Sequence, residues 1–553
     1  MPTQPSTARL TLLALVTFLV TSTTSSAFNG PYTTFVNVAP GVDLELDVRW
    51  PDTGSPPLAG WPVLFFAHGA GGSKNSNTRL ASDYADQGYL TLTYTNRPEG
   101  DRNPTDLGND LVALKSWLVN DFESDAGVSA PTDANAFGMT GNSLGGLTTW
   151  SGVLLTDTFA AAVPFNWGYH MFVDYIESQG SLERQTGGDI AVGVGGEYPS
   201  GLVDAVLEAA FAPVMANFPL VTIPVQNQIA MLDARVPGTH ALSDHLALTA
   251  ASQRMIYLGT GGHGTPNNDS VFRDDLRLRW FNYHLKGESN GIETEDPIRM
   301  ALLGTNEHVS YPSWPPPGQT TDTLYLGPQR SLNQEIPLEV GGFDRFDNDP
   351  GQLTWASAQP TFSVATIRSE VVRDVIQYDS GALLEETLMV GAPSVTLHVA
   401  GTGSRYQVNV HLLDVSPNDT AVLLAVGTAT PDTSPTELTI PLTITGRRIP
   451  AGHRLRLEIT NRDDQDVDPT NGYTPEFGKI RFLPFFEFSA NTVFYDAIRP
   501  SSVTLPLIGS AELVIGPAVP ALSTFGLMSV AVGLASSGIW LLRKRPHRRT
   551  RTA

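Results

Sequence analysis

Residues Ala136-Phe-Gly-Met139 read as a short β-strand, Gly141-Asn142-Ser143-Leu144-Gly145 as a tight turn, and Gly146-Leu-Thr-Thr-Trp-Ser-Gly-Val-Leu-Leu155 as the helix leaving it. This is G-x-S-x-G in a strand–turn–helix setting. The glycines permit a sharp reversal, and the serine oxygen is lifted above the sheet at a helix N-terminus, the arrangement called a nucleophile elbow. It predicts an α/β-hydrolase sheet with Ser143 as nucleophile, and the sequence on either side agrees. Trp61-Pro-Val-Leu-Phe-Phe-Ala67 and Gly88-Tyr-Leu-Thr-Leu-Thr-Tyr94 read as buried strands. Leu107, Leu111, Leu114 and Leu118 repeat at three- and four-residue spacing, as in a helix that covers a sheet. Over residues 28–304 such strands and helices alternate, which argues for a largely parallel sheet.

A serine hydroxyl is a poor nucleophile until a base takes its proton and an acid orients the base. In this fold the chain order is Ser, then Asp or Glu, then His. The strand Ile223-Pro-Val-Gln-Asn-Gln-Ile-Ala230 empties into a loop carrying Asp233, and the strand Met255-Ile-Tyr-Leu258 into a Gly-rich loop presenting His263. Asp233 and His263 are therefore the expected acid and base. Asp244, Asp269, His240 and His245 lie nearby, the two histidines being read as surface positions of an Ala/Leu-rich helix. His68-Gly69-Ala70-Gly71-Gly72 follows a strand, where this fold places an oxyanion loop. The expected oxyanion donors are the backbone amides of Leu144 and Ala70. The alternative for the glycines is a merely flexible loop. An insertion of about fifty residues, 166–218, has the position of a lid. Its Trp167, Tyr169, His170 and Tyr175 either line the site or pack the core.

Beyond a Pro-rich connector at 305–320, helical signals give way over 321–512 to short alternating strands. Tyr406, Val408, Val410 and Leu412 share one face, as do Leu455, Leu457 and Ile459. This pattern implies a jelly roll or β-sandwich. The 553 residues carry 34 Lys+Arg against 56 Asp+Glu, a formal charge of −22, and no cysteine. The acidity gives no footprint for nucleic acid. The missing thiols exclude cysteine catalysis and Cys-ligated zinc. No cofactor is expected. Asp464, Asp466 and Asp468 alternate as in a calcium loop, but Pro469 and Pro475 stand where the EF-hand pattern has Gly and Glu, which favours a solvated acidic loop.

The ends read as addresses. Arg9, the apolar run 10–20 and Ser25-Ser26-Ala27 compose a secretory signal peptide over 1–27. Residues 522–542 are long and apolar enough to span a bilayer and run into Arg543-Lys544-Arg545. With Val519-Pro520-Ala521-Leu522-Ser523-Thr524-Phe525-Gly526 in front, the segment 519–553 resembles the PEP-CTERM and IPTL-CTERM sorting signals of Gram-negative bacteria. That resemblance implies a membrane-bound stage, removal by a sortase-type processing enzyme, and delivery to the cell surface.

Several motifs also resemble the X-Pro dipeptidyl-peptidase and cocaine-esterase-like family of serine hydrolases. They are Gly141-Asn-Ser-Leu-Gly-Gly-Leu-Thr-Thr-Trp150, the Asp233 and His263 loops, Trp280-Phe-Asn-Tyr-His-Leu-Lys-Gly287, Trp314-Pro-Pro-Pro-Gly318, Asp344-Arg-Phe-Asp-Asn-Asp-Pro350 and Val390-Gly-Ala-Pro-Ser-Val-Thr-Leu-His-Val399. The resemblance implies an α/β-hydrolase domain joined to a C-terminal jelly roll, a Ser143–Asp233–His263 triad, and a small ester or peptide substrate. Many members carry Tyr after the nucleophile and a tyrosine side chain in the oxyanion hole. This chain has Leu144 and a lipase-like His68-Gly-Ala-Gly-Gly72 instead.

Overall fold

The computed structural model describes residues 28–516 apart from 99–102, 171–183, 187–188, 192–210, 234–235, 237, 264–269, 353–360, 364–369, 404–405, 432–435, 463–486 and 511. The expected signal peptide, the sorting segment, Tyr175, Asp269 and the acidic loop at 464–468 lie outside the described residues. Among the described residues no helix is long and apolar enough to cross a membrane.

The first half of the chain gives strands β1 (Phe28–Ala39), β2 (Val42–Pro51), β3 (Trp61–Ala67), β4 (Leu90–Tyr94), β5 (Thr132–Asn142) and β6 (Ala161–Phe165). Two short strands follow in the insertion, β7 (Arg184–Thr186) and β8 (Asp189–Ala191). The series ends with β9 (Val225–Ala230), β10 (Arg254–Gly259), β11 (Ile298–Ala301) and β12 (His308–Tyr311). The helices are α1 (Thr78–Asp86), α2 (Pro104–Asn120), α3 (Phe122–Ala126), α4 (Leu144–Leu155), α5 (Gly238–Ala247) and α6 (Ser270–Lys286). Ten of the strands form one sheet in the order β1-β2-β4-β3-β5-β6-β9-β10-β11-β12. It is parallel from β4 to β11 and antiparallel at its edges.

Strand β3 shows why helices lie on both faces. All seven of its residues are buried. Val63, Phe65 and Ala67 join Leu111, Leu114 and Leu118 of α2 on one face, while Leu64 and Phe66 join Ala81 and Tyr84 of α1 and Trp280 and Phe281 of α6 on the other. Period-two alternation sends successive side chains to opposite layers, so a strand covered on both faces reads as a continuous apolar run. The β4–β3–β5–β6 centre carries its crossover helices on both sides, and the loops at its C-terminal edge carry the site.

The expected connector 305–320 is largely structured. Gly304, at φ 73°, closes a hairpin that lets β12 pair antiparallel with β11, and Gln319–Gly327 already pairs with Ser502–Ile508 of the second domain. Along the chain the Pro-rich stretch 312–318 leads from one sheet to the other. Among the described residues between 319 and 508, thirteen strands form the jelly-roll-type β domain. Ser394–Gly401 shows the alternation of a strand with one covered face. Val408–Val415 does not. It is buried on both faces, and its polar side chains Asn409 and His411 turn into a polar network rather than to water. Glu458 anchors that network through Arg373, Gln377 and His411. Burial opposes its charge, yet these partners hold its carboxyl down to about 2.

Candidate active site

The elbow is built by close contact. A Cβ on Gly141 would fall 2.5 Å from the Gly145 carbonyl oxygen, and one on Gly145 would fall 2.3 Å from the Ala67 oxygen. Both distances are forbidden, so only glycine lets α4 start against β3 and β5. Between them Ser143 adopts φ 58°, ψ −118°, a conformation costly for a residue with a side chain. Its amide donates to the Phe165 carbonyl at 3.0 Å, and its own carbonyl accepts from Leu147 at 3.0 Å. The backbone is thus pinned on both sides while the hydroxyl faces the loop edge.

His263 comes to the same place from the end of β10, through a turn in which Gly261 takes φ 99°. Its Nε2 lies 2.8 Å from Ser143 Oγ and its Nδ1 lies 2.7 Å from Asp233 Oδ2. The Asp233 side chain is fully buried and that of His263 is 9% exposed. A carboxylate can only accept, so Nδ1 carries the proton and Nε2 is left to accept from the serine hydroxyl. Asp233 Oδ1 takes the Val236 amide at 3.0 Å, which fixes the carboxylate plane. Ser143, Asp233 and His263, from three separate loops, are therefore brought into one hydrogen-bonded chain.

The Leu144 amide stands at the first position of α4, where no intrahelical acceptor exists. Ala70 lies on the loop after β3, and a Cβ on its neighbour Gly69 would sit 3.5 Å from Ser143 Cβ. The first expected oxyanion amide thus follows the nucleophile directly, and the second follows the residue packed against it.

The neighbouring acids and histidines go elsewhere. Asp244 accepts from the Tyr169 amide at 2.7 Å, the His170 amide at 3.1 Å and His170 Nδ1 at 2.5 Å, and burial raises its pKa. His240 and His245 are 8% and 1% exposed, contrary to the surface positions expected for them. They are inward because α5 is covered on one side by the sheet, where Asn227 donates to the Ala241 carbonyl, and on another by residues 168–170, where a Cβ on Gly168 would come 3.1 Å from His240 Cβ. Burial, with Arg254 nearby, pushes the His245 pKa down to about 3. Of the aromatics in the insertion, Tyr169 is fully buried, tilted against Phe211 and edge-on to Phe218, so it packs the core. Trp167 lies over the first turn of α4, where a Cβ on Gly146 would come 2.7 Å from Trp167 Cβ. No role was expected for the His68 side chain, whose ring bonds both to the Gly69 carbonyl and to the Asn96 amide just beyond β4. The signal was its place at the head of the Gly-rich run.

Residues 290–504 match the model of the X-Pro dipeptidyl-peptidase C-terminal non-catalytic domain. Over 161 residues the chain is 28% identical to a Mycobacterium bovis protein whose own assignment as a serine esterase is provisional; the match covers 28% of this chain and 26% of that one. The fold is that of a solved α-amino acid ester hydrolase (TM-score 0.64, 16% identity, 91% of this chain and 100% of that one). It is also that of a CocE/NonD family hydrolase from Staphylococcus aureus (TM-score 0.61, 13% identity, 86% and 93%). An aminopeptidase from a marine sediment Thaumarchaeota archaeon shares it as well (TM-score 0.61, 14% identity, 87% and 97%). Residues 290–504 thus match the X-Pro dipeptidyl-peptidase C-terminal domain, and the chain as a whole shares the two-domain fold of these solved hydrolases.

Proposed function

We propose that the protein is an exported serine hydrolase that cleaves an ester or peptide acyl bond through an acyl-enzyme. The observation that carries this reading is the continuous Ser143 Oγ–His263 Nε2 and His263 Nδ1–Asp233 Oδ2 chain at 2.8 and 2.7 Å. Ser143 Oγ attacks the carbonyl carbon as its proton passes to Nε2. The buried Asp233 carboxylate balances the imidazolium, and the Leu144 and Ala70 amides donate to the oxyanion. Collapse of the tetrahedral intermediate returns the proton to the leaving alcohol or amine. Water then repeats the sequence on the acyl-enzyme, releasing the acid and free Ser143.

A carboxylesterase without peptidase activity is the second reading. It is favoured by Leu144 and by the His68-Gly-Ala-Gly-Gly72 loop, which resembles the oxyanion loop of lipases. The signal peptide and the 519–553 segment support export and a surface destination after sortase-type processing. Fluorophosphonate labelling, followed by parallel panels of p-nitrophenyl esters and X-Pro anilides, tests the proposal. Labelling at Ser143 with anilide turnover supports the peptidase, and labelling with ester turnover alone supports the esterase. Failure of Ser143 to label would leave an inert hydrolase fold on a surface adhesion or glycan-binding protein.

A further inference from the structure

Where the Ala70 amide points is decided by what holds the carbonyl of the same peptide unit. Among the described residues cis peptides occur only at Gly30-Pro31 and Trp314-Pro315, so the Gly69–Ala70 peptide is trans, with its C=O and N–H facing opposite ways. The Gly69 carbonyl accepts twice, from the Gly72 amide at 3.1 Å and from His68 Nδ1 at 2.7 Å. The first bond closes a turn in which Gly71, at φ 72°, supplies the positive φ of a type II geometry. The second comes from a side chain that is 1% exposed and itself anchored. Its Nε2 accepts the Asn96 amide at 2.9 Å, which leaves the ring proton on Nδ1, facing Gly69. Space is matched to this arrangement. A Cβ on Gly72 would come 2.7 Å from Ser76 Oγ and 2.9 Å from His68 Nδ1, so glycine lets the turn close between the ring and the Ser76 hydroxyl.

We infer that His68 is a positioning residue for catalysis: its imidazole ties the Gly69 carbonyl to the end of β4 through Asn96 and thereby aims the Ala70 N–H at the oxyanion of the Ser143 adduct. Gly69 stands directly against the nucleophile, with an added Cβ 3.4 Å from the Asn142 oxygen, so a turned peptide there would move the donor away from the reacting atom. The inference rests on the acyl-transfer reading.

The ring's two bonds can be separated by substitution. In His68→Asn an amide N–H stands near the place of Nδ1–H and can still donate to Gly69. In His68→Gln the side-chain oxygen reaches the Asn96 amide, but the donor to Gly69 is displaced. With purified full chain and a p-nitrophenyl ester, His68→Ala and His68→Gln are expected to lower kcat ~10²-fold at nearly unchanged KM, the loss typical of one oxyanion donor. His68→Asn is expected to stay within about tenfold of wild type, the change being read in kcat, as transition-state stabilisation is. Gly72→Ala, which crowds the ring without removing it, should reproduce the kcat loss and decides the matter if His68→Ala does not fold. Equal kcat losses in His68→Asn and His68→Gln, or wild-type kcat in His68→Ala, overturn the inference. Ser143→Ala is the control: if it is inactive while His68→Ala is not, the positioning role alone falls, whereas an active Ser143→Ala removes the acyl-transfer reading itself.

Discussion

Ser143 holds a backbone conformation, φ 58°, ψ −118°, that costs of order 1–3 kcal/mol for a residue with a Cβ. Two substitutions separate that strain from the chemistry. Ser143→Ala removes the hydroxyl and keeps the strain, so turnover should fall ~10⁶-fold while the thermal midpoint stays near wild type. Ser143→Gly should be equally inactive but more stable than Ser143→Ala by about 1 kcal/mol, because glycine adopts this φ without penalty. Denaturant titration of the two variants checks the difference, and a less stable Ser143→Gly would mean the elbow is not strained. The glycines around it were legible in the sequence because a hard-sphere contact of 2.3–2.5 Å admits one residue type and leaves a fixed spacing. The role of the His68 ring was not legible. It depends on an anchor 28 residues further on, and nothing in a local motif records which backbone amide the far side of a ring will meet.

At the scale of elements, α5 is where composition misleads. Gly238–Ala247 is short and carries two histidines and an aspartate among Ala and Leu, which reads as a half-exposed surface helix. Packing from two sides buries His240, Asp244 and His245 instead, and a single-helix period cannot reveal a second neighbour. The consequence is acid sensitivity. The folded-state pKa of His245, about 3, lies below its ordinary 6.5, so below pH 6.5 the unfolded chain takes up a proton that the native chain refuses. Stability is therefore intact above pH 6.5 and is lost toward pH 3 at about 1.4 kcal/mol per unit. His284, lowered to about 4 by burial, acts in the same sense. Replacing His245 by Gln should shrink the loss of unfolding free energy between pH 7.5 and 5 by about 2 kcal/mol, read from urea midpoints at the two pH values. An unchanged loss would assign the acid response to other groups.

The two halves of the molecule are one packing unit, although the change from helical to alternating periodicity near residue 320 marks them as separate domains in the sequence. Met231, Leu232, Val236, Ala241 and Leu242 of the hydrolase half share a core with Leu442 and Ile444 of the β domain. The Ile444 amide donates to Thr239 Oγ1 at 2.8 Å, and Arg447 ties the Leu303 carbonyl to the buried Asp414. Chain periodicity shows that a face is apolar but not which distant segment covers it, so this seam could be seen only in three dimensions. Its position matters because Met231, Leu232 and Val236 flank Asp233, while α5, which begins with Gly238 against Ile444 Cγ2, follows the same loop. Truncating Ile444 to Ala should cost ~2–5 kcal/mol, as deletions at fully buried aliphatic positions do. If the seam also holds the acid loop, the loss will not be confined to stability. At temperatures where the Ile444→Ala variant is still folded by circular dichroism, its kcat should drop while KM changes little, since a displaced Asp233 leaves His263 poorly oriented but does not touch the substrate. A distant core truncation of similar cost, such as Leu457→Ala within the β domain, should lower the thermal midpoint and leave kcat alone. Equal kcat in the two variants would reduce the β domain to a stabilising partner with no hold on the triad.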